Sequence, residues 1–408
     1  MSTQASAATP PAATEEDARG HRERIIGNLR SGNLGSWPVI IALVIIVAVF
    51  SQTASNFFTP VNFNNIIIQM AGTTLLAYGV VFVLLIGEID LSIAYVSGVC
   101  GVAVAEFALP GSGHQYPALV AMGLAILIGM AIGAFQGSVV ALIGVPSFVV
   151  TLAGFQIWQG VILKSIPQGV ILIQSDTINN TASYFFSDGA GWIIAFIVIA
   201  AYLGTELNTW YSGRRHGVAL RSPGMFIARL AAVPVLSIIT VVICNRDRGV
   251  PFALLLVIAF LVIWTYVAKR TTFGRHVYAV GGNAEAARRA GINVKRIRIL
   301  VFTISGGMAG IGGIVLAARL NSANLNQGGG TLLIDAIAAA VIGGTSLFGG
   351  RGEVRNALFG SLVIAVIANG MNTLGYTTGT IFIVTGIILL LAVTLDTIFR
   401  RLQARSGR

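Results

Sequence analysis

The chain has 408 residues, is 55% hydrophobic and 10% charged, and carries a net charge of +11 with a mean hydropathy of +0.83. A water-soluble domain carries about a quarter charged residues, so this composition excludes one and defines an all-α polytopic membrane protein. The basic excess lies between apolar runs and at the termini rather than on one soluble face, which excludes a nucleic-acid footprint.

Residues 1–35 are rich in Ala, Ser, Thr and Pro, then charged (Glu15, Glu16, Asp17, Arg19, Arg22, Arg24), and read as a disordered cytoplasmic tail. The first apolar run starts near Trp37, too late and too long for a cleavable signal peptide. Apolar runs stand near 37–54, 64–87, 91–109, 117–143, 147–164, 191–207, 228–245, 251–268, 297–319, 331–348, 354–374 and 378–399. Each crosses, or nearly crosses, roughly 30 Å of hydrocarbon. Residues 36–400 therefore form the expected transmembrane domain, and 401–408 a second cytoplasmic tail.

Loops rich in Lys and Arg stay inside. With an inside N-terminus, counting crossings places Arg214, Arg215, Arg221, the 269–298 loop, Arg351, Arg355, Arg400, Arg401, Arg405 and Arg408 inside, and Arg246 and Arg248 outside beside Asp247. Two short Gly-interrupted runs folding as re-entrant half-helices would lower the count, so 10–12 transmembrane helices are expected. Two outside segments, 165–190 and 320–330, exceed a simple turn and read as solvated loops, or as a docking surface or lid.

Acids at membrane depth are costly and point to function. They are Glu88, Asp90, Glu106 and Asp335. Asp90 in GEIDLSIAYVSG and Asp335 in LLIDAIAAAVIGG are each followed eight positions later by Gly98 and Gly343. This self-similarity points to two weakly related halves, a common build in transporters. Both acids could equally cap helix N-termini. Neutral polar residues stand nearby, and the candidates for a translocation path are Asp90, Ser92, Ser147, Phe148, Thr151, Asn321, Asn324, Asp335 and Asn369. Amides and hydroxyls suit a sugar-like solute, but the same groups serve as interhelical glue. The runs GGMAGIGG (306–313) and VIGGTSLFGGRG (341–352) permit close helix contact, and neither is a phosphate loop, since Gly350-Arg351 stand where Lys-Ser/Thr is needed. Cys100 and Cys244 lie in apolar runs and the His residues are scattered, so neither a disulfide framework nor a metal site is expected.

The 269–298 stretch, KRTTFGRHVYAVGGNAEAARRAGINVKRIR, carries eight basic residues against one acid, Glu285. Asn283 is a good N-cap, Glu285 sits in the first turn and Gly291 suits a left-handed C-cap. Glu285 stands four before Arg289, the favourable order, and Ala286 and Ala290 share a small-residue face. So short a helix persists only when docked. It is either part of an ordinary positive-inside loop or a coupling helix that hands force to a cytoplasmic motor subunit.

The segments GRHVYAVGGNAEAARRAGINVKRIR and DAIAAAVIGGTSLFGGRGEVRNALFG closely resemble those of permease subunits of ATP-driven monosaccharide importers of the ribose/xylose type. GEIDLSIA and VPSFVVTLAG (145–154) resemble two further segments of that family, and the likeness covers about 60–399. Glu88 and Ala94 depart from it, standing where Gly is usual or common. An added region around 205–265 looks like the xylose-type branch. The resemblance implies a homodimeric pore in a bacterial cytoplasmic (inner) membrane, with an ATP-binding subunit inside and a sugar-binding protein outside. The chain would bind no cofactor, ATP-Mg being held by the ATPase, and D-xylose or a related pentose is the expected cargo. Asn283, Glu285, Ala286, Arg288, Arg289 and Gly291 would then form the coupling element. A stand-alone ion-coupled secondary carrier is the competing reading, and the charge-poor interior argues against it. A membrane enzyme would need a clustered His, Cys or acid constellation, which the sequence does not present.

Overall fold

A computed structural model describes residues 37–111, 113, 115–215 and 223–405, so the expected tail over 1–35 and the inside Arg221 lie outside the described residues. The apolar runs fold as helices close to their expected bounds: α1 (Trp37–Thr53), α2 (Pro60–Leu85), α3 (Ile93–Phe107), α4 (Ala118–Ser138, continued by a π-turn, Val139–Ile143) and α5 (Ser147–Ser165). Next come α6 (Asp176–Ser183), α7 (Asp188–Arg215), α8 (Pro223–Cys244) and α9 (Phe252–Arg270). The chain continues through α10 (Thr272–Gly282), α11 (Ala284–Arg289), α12 (Val294–Leu320), α13 (Leu332–Ile342), α14 (Val354–Thr373) and α15 (Thr378–Arg405). Helix α15 thus runs on through the first five residues of the expected C-terminal tail.

Among the described residues, eight helices are long and apolar enough to cross a membrane. Helices α3 and α13, of 15 and 11 residues, are not. At 1.5 Å per residue α13 covers only about 17 Å, half the hydrocarbon thickness. Both are shorter than the apolar runs expected at 91–109 and 331–348.

The series α2–α3–α4–α5 and α12–α13–α14–α15 both run long, short, long, long, and they exchange partners: α12 packs on α3 and α4, while α2 packs on α13 and α14. The halves are related as packing units, but the eight-residue match does not hold position by position. Asp90 precedes the N-cap Ser92, whereas Asp335 lies inside the first turn of α13; Gly98 is mid-helix and Gly343 is a C-cap. Burial separates centre from rim. The apolar windows of α2, α12 and α14 are 83%, 67% and 72% buried, against 11% and 6% for α7 and α8. The added region therefore contributes peripheral helices.

Small residues create the central crossing. A side chain at Gly306 would collide with the Gly129 carbonyl, and one at Gly133 with that of Phe302, so α4 and α12 meet backbone to backbone. The two long segments expected outside are joined rather than loose. Strand β1 (Val170–Leu172) pairs antiparallel with β4 (Ser322–Asn324), with Ile171 opposite Ala323. Strand β2 (Phe185–Phe186) pairs with β3 (Val250–Pro251), and α6 buries Ile178, Thr181 and Ala182.

Candidate functional site

The basic 269–298 segment holds two short helices, one more than the sequence reading places there. Helix α10 is amphipathic: Thr271 caps it by accepting from Gly274 N–H (3.2 Å), and Gly274, Val277 and Val280 are buried. The spacing of Phe273, Val277 and Val280 was its signal, overlaid by the surrounding charges. Asn283 ends α10 and starts α11, its Oδ1 accepting from Ala286 N–H (2.9 Å). Glu285 pairs with Arg288 (2.9 Å) and Arg289 (3.3 Å), exposed contacts worth a few tenths of a kcal/mol. Gly291 closes the helix at φ +85°. Ala287 is buried under the helix, while Ala286, Arg288, Arg289 and Ala290 face outward. The six residues expected to form a coupling element are thus one short helix with an exposed small-residue face.

That helix is exposed but firmly mounted. Gly281 lies so close to Leu85 O and Gly350 N that a Cβ would collide with both. Gly350 N–H donates to Leu85 O (2.9 Å), and Tyr278 Oη–H donates to Gly352 O (2.8 Å). Burial, with a smaller contribution from Glu353, pushes the Tyr278 phenol up to about 12, so it stays a protonated donor at neutral pH. Lys269 Nζ lies 2.7 Å from Glu353 Oε1. A fourth tie runs from Arg298 Nε to Glu88 Oε1 at 3.0 Å, an ion contact whose N–H is not aligned as a hydrogen bond. The junction therefore binds α10, the end of α9 and the start of α12 to the segment leading into α3 and to the segment leaving α13, and α11 follows α10 directly through Asn283. Glu88, at a position where the resembled family usually has Gly, supplies one of its links. A double-mutant cycle of Glu88→Gln and Arg298→Gln is expected to show a coupling of up to about 1 kcal/mol in unfolding, and strict additivity would remove the link.

A second polar centre sits where α3 begins. Asp90 is buried; its Oδ1 accepts from Ser92 N–H (3.0 Å) and Ser92 Oγ–H (2.7 Å), and its Oδ2 from Ser305 Oγ–H on α12 (2.9 Å). Ser92 Oγ also lies 2.9 Å from the Gln136 amide. Its one hydrogen goes to Asp90, so the amide fits with its N–H turned toward Ser92. Ser147 and Thr151 clasp the preceding peptide: Ile89 N–H donates to Ser147 Oγ (3.2 Å), and Thr151 Oγ1 lies 3.2 Å from Ile89 O while bonding Ser147 O at 2.8 Å.

The remaining path candidates fall elsewhere. Phe148 is exposed on α5. Asn321 takes the left-handed C-cap of α12 (φ +49°) and accepts from Ile173 N–H (2.9 Å); Asn324 Oδ1 accepts from Asn326 N–H (2.9 Å). Both shape the outer turn. Asp335 accepts from Thr331 Oγ1–H (2.7 Å), and Asn369 is buried on α14. Asp335→Asn keeps an acceptor for Thr331, so a loss of about 1 kcal/mol in stability with transport retained is expected. Normal expression with abolished transport would place Asp335 on the path instead. Among the described residues no three His, Cys, Asp or Glu side chains stand together as a metal-binding group.

Long apolar helices in two exchanged halves, with an exposed basic helix at one end, fit a multi-pass membrane transport permease. The family described as "Branched-chain amino acid transport system / permease component" matches residues 62–393, and the chain belongs to that family. It is 36% identical over 377 residues to the xylose transport system permease protein of Escherichia coli strain K12, covering 91% of this chain and 94% of the relative. The Haemophilus influenzae xylose transport system permease protein is 34% identical over 372 residues, covering 90% and 98%. The ribose import permease protein of Escherichia coli strain K12 is 32% identical over 358 residues, covering 88% and 92%. No solved structure matches the chain.

Proposed function

We propose that this chain is the pore-forming subunit of an ATP-driven importer of a monosaccharide, D-xylose or a related pentose. In this reading it works as a homodimer in the bacterial cytoplasmic (inner) membrane, with an ATP-binding subunit inside and a sugar-binding protein outside. The observation that carries the reading is the Asn283-capped helix, exposed on its Ala286 and Ala290 face and joined through Asn283 to α10, which is mounted on the segments flanking α3 and α13. An ATPase groove that takes this face in one nucleotide state and holds it differently in the other biases the two half-helices, because only a differential contact can shift a conformational equilibrium. The chain itself binds no cofactor, and ATP-Mg belongs to the partner. The choice of pentose rests on the relatives, whose names specify xylose and ribose. A stand-alone ion-coupled carrier fits less well, since Asp90, a buried acid at depth, has both oxygens engaged by hydroxyl and amide donors.

The test is uptake of labelled xylose by vesicles holding this chain alone, then with a matching ATPase and binding protein. Uptake only in the complete, ATP-supplied system is expected. Uptake by the chain alone on an ion gradient would replace the reading with a secondary carrier, and ATP-driven uptake of another sugar but not xylose would replace the substrate.

A further inference from the structure

At the end of the bundle opposite the docking helix, a crevice of about 240 Å³ opens between α2, α6, α12 and the loop after α8. Its lining includes Arg248, Arg319, Asn65, Gln69, Ile68 and Phe185. Arg248 is held in place: its guanidinium lies 4.2 Å over the Phe185 ring, and its Nη2 reaches Asn65 Oδ1 at 3.5 Å. The nearest acid, Asp247, is already engaged, its Oδ2 accepting from Asn64 (2.9 Å) and from Arg248 Nε (3.2 Å). Arg319, in the last turn of α12, has no ion-pair or hydrogen-bond partner among the described residues. The helix C-terminus offsets part of its charge but does not explain two guanidinium groups and two amides converging on one opening.

The depth identifies the level in the membrane. Asn65 stands 20 residues along α2 from Leu85, and Arg319 stands 21 residues along α12 from Arg298. Each separation is about 30 Å of helix, the thickness of the hydrocarbon layer. Leu85 and Arg298 belong to the inner junction, so the crevice lies at the opposite headgroup level. Beside it, α2 and α8 meet through Ile67, Val241 and Cys244, and little of the rest of α8 is buried.

We propose that this crevice is a phosphate-binding site, filled from the outer leaflet by a phospholipid headgroup. Arg319 and Arg248 grip the phosphate oxygens through paired N–H donors, Asn65 and Gln69 meet the headgroup's polar atoms, and Ile68 and Phe185 flank the glycerol end. The test uses the full-length chain in detergent, stripped of lipid, with thermal unfolding followed as phosphatidylglycerol is titrated in. Stabilisation is expected in the wild type, with roughly fivefold weaker apparent affinity in R319Q and in R248Q. R319K, which keeps the charge but loses the fork, should fall between. Wild-type lipid response in both R319Q and R248Q would overturn the site. Equal protection by inorganic phosphate, lost in R319Q, would keep the phosphate chemistry and overturn the lipid source. Protection by a Glu-rich peptide with none by phosphatidylglycerol would overturn the proposal in favour of an acidic protein partner.

Discussion

Ala286→Trp is expected to abolish both transport and stimulation of the partner ATPase while leaving membrane insertion and thermal stability near wild type. Ala286 is exposed on α11, and its N–H is held by Asn283, so an indole there points away from the fold. What it blocks is the close approach of a partner groove to a small-residue face. The contrast lies one residue on. Ala287 is 4% exposed and packs under the helix, so Ala287→Trp should lose stability by overpacking, typically about 1–3 kcal/mol or more. Measuring ATPase stimulation and unfolding on both variants separates docking from folding. Wild-type uptake in Ala286→Trp would remove α11 from the coupling role.

Gly306→Val is expected to cause the largest loss of stability. The added side chain meets the Gly129 carbonyl and the Gly133 backbone across the α4–α12 crossing, and a backbone cannot rotate away as a side chain can. The helices must separate, which opens the contact on which the exchanged halves depend and costs several kcal/mol. Gly160 on α5 is the control: nothing lies within 4 Å of its Cβ position, so Gly160→Ala should be neutral or slightly stabilising. Detergent unfolding and size-exclusion profiles check both. A Gly306→Val protein that unfolds like the wild type would contradict the crossing.

The transmembrane helices were legible because apolar length is a local property, and the exposed helix because its cap, its Glu285 pairings and Gly291 all lie within nine residues. Pairings between distant segments were not. Three residues at Val170 and three at Ser322 carry no sign of each other, so the joined outer segments read as separate loops. Helix α10 was hidden because Arg275 and neighbouring charges dominate a stretch whose buried face is three or four residues wide. Ser147 and Thr151 show the limit for site residues. A hydroxyl at membrane depth announces a need for a partner but not which one, and here the partner is the Ile89 peptide. The junction at Leu85, Gly281 and Gly350 was equally unreadable, since the two glycines serve a close approach to Leu85 between segments far apart in the chain.

The most direct measurement of the coupling account uses Ala286→Cys. The two native cysteines, Cys100 and Cys244, are buried, so a membrane-impermeant maleimide should report on the introduced thiol alone. The account predicts labelling in inside-out vesicles, none in right-side-out vesicles, and protection when the ATPase subunit is bound, with the protection changing between nucleotide states. Labelling from the outer side, or equal labelling with and without the ATPase, would contradict it.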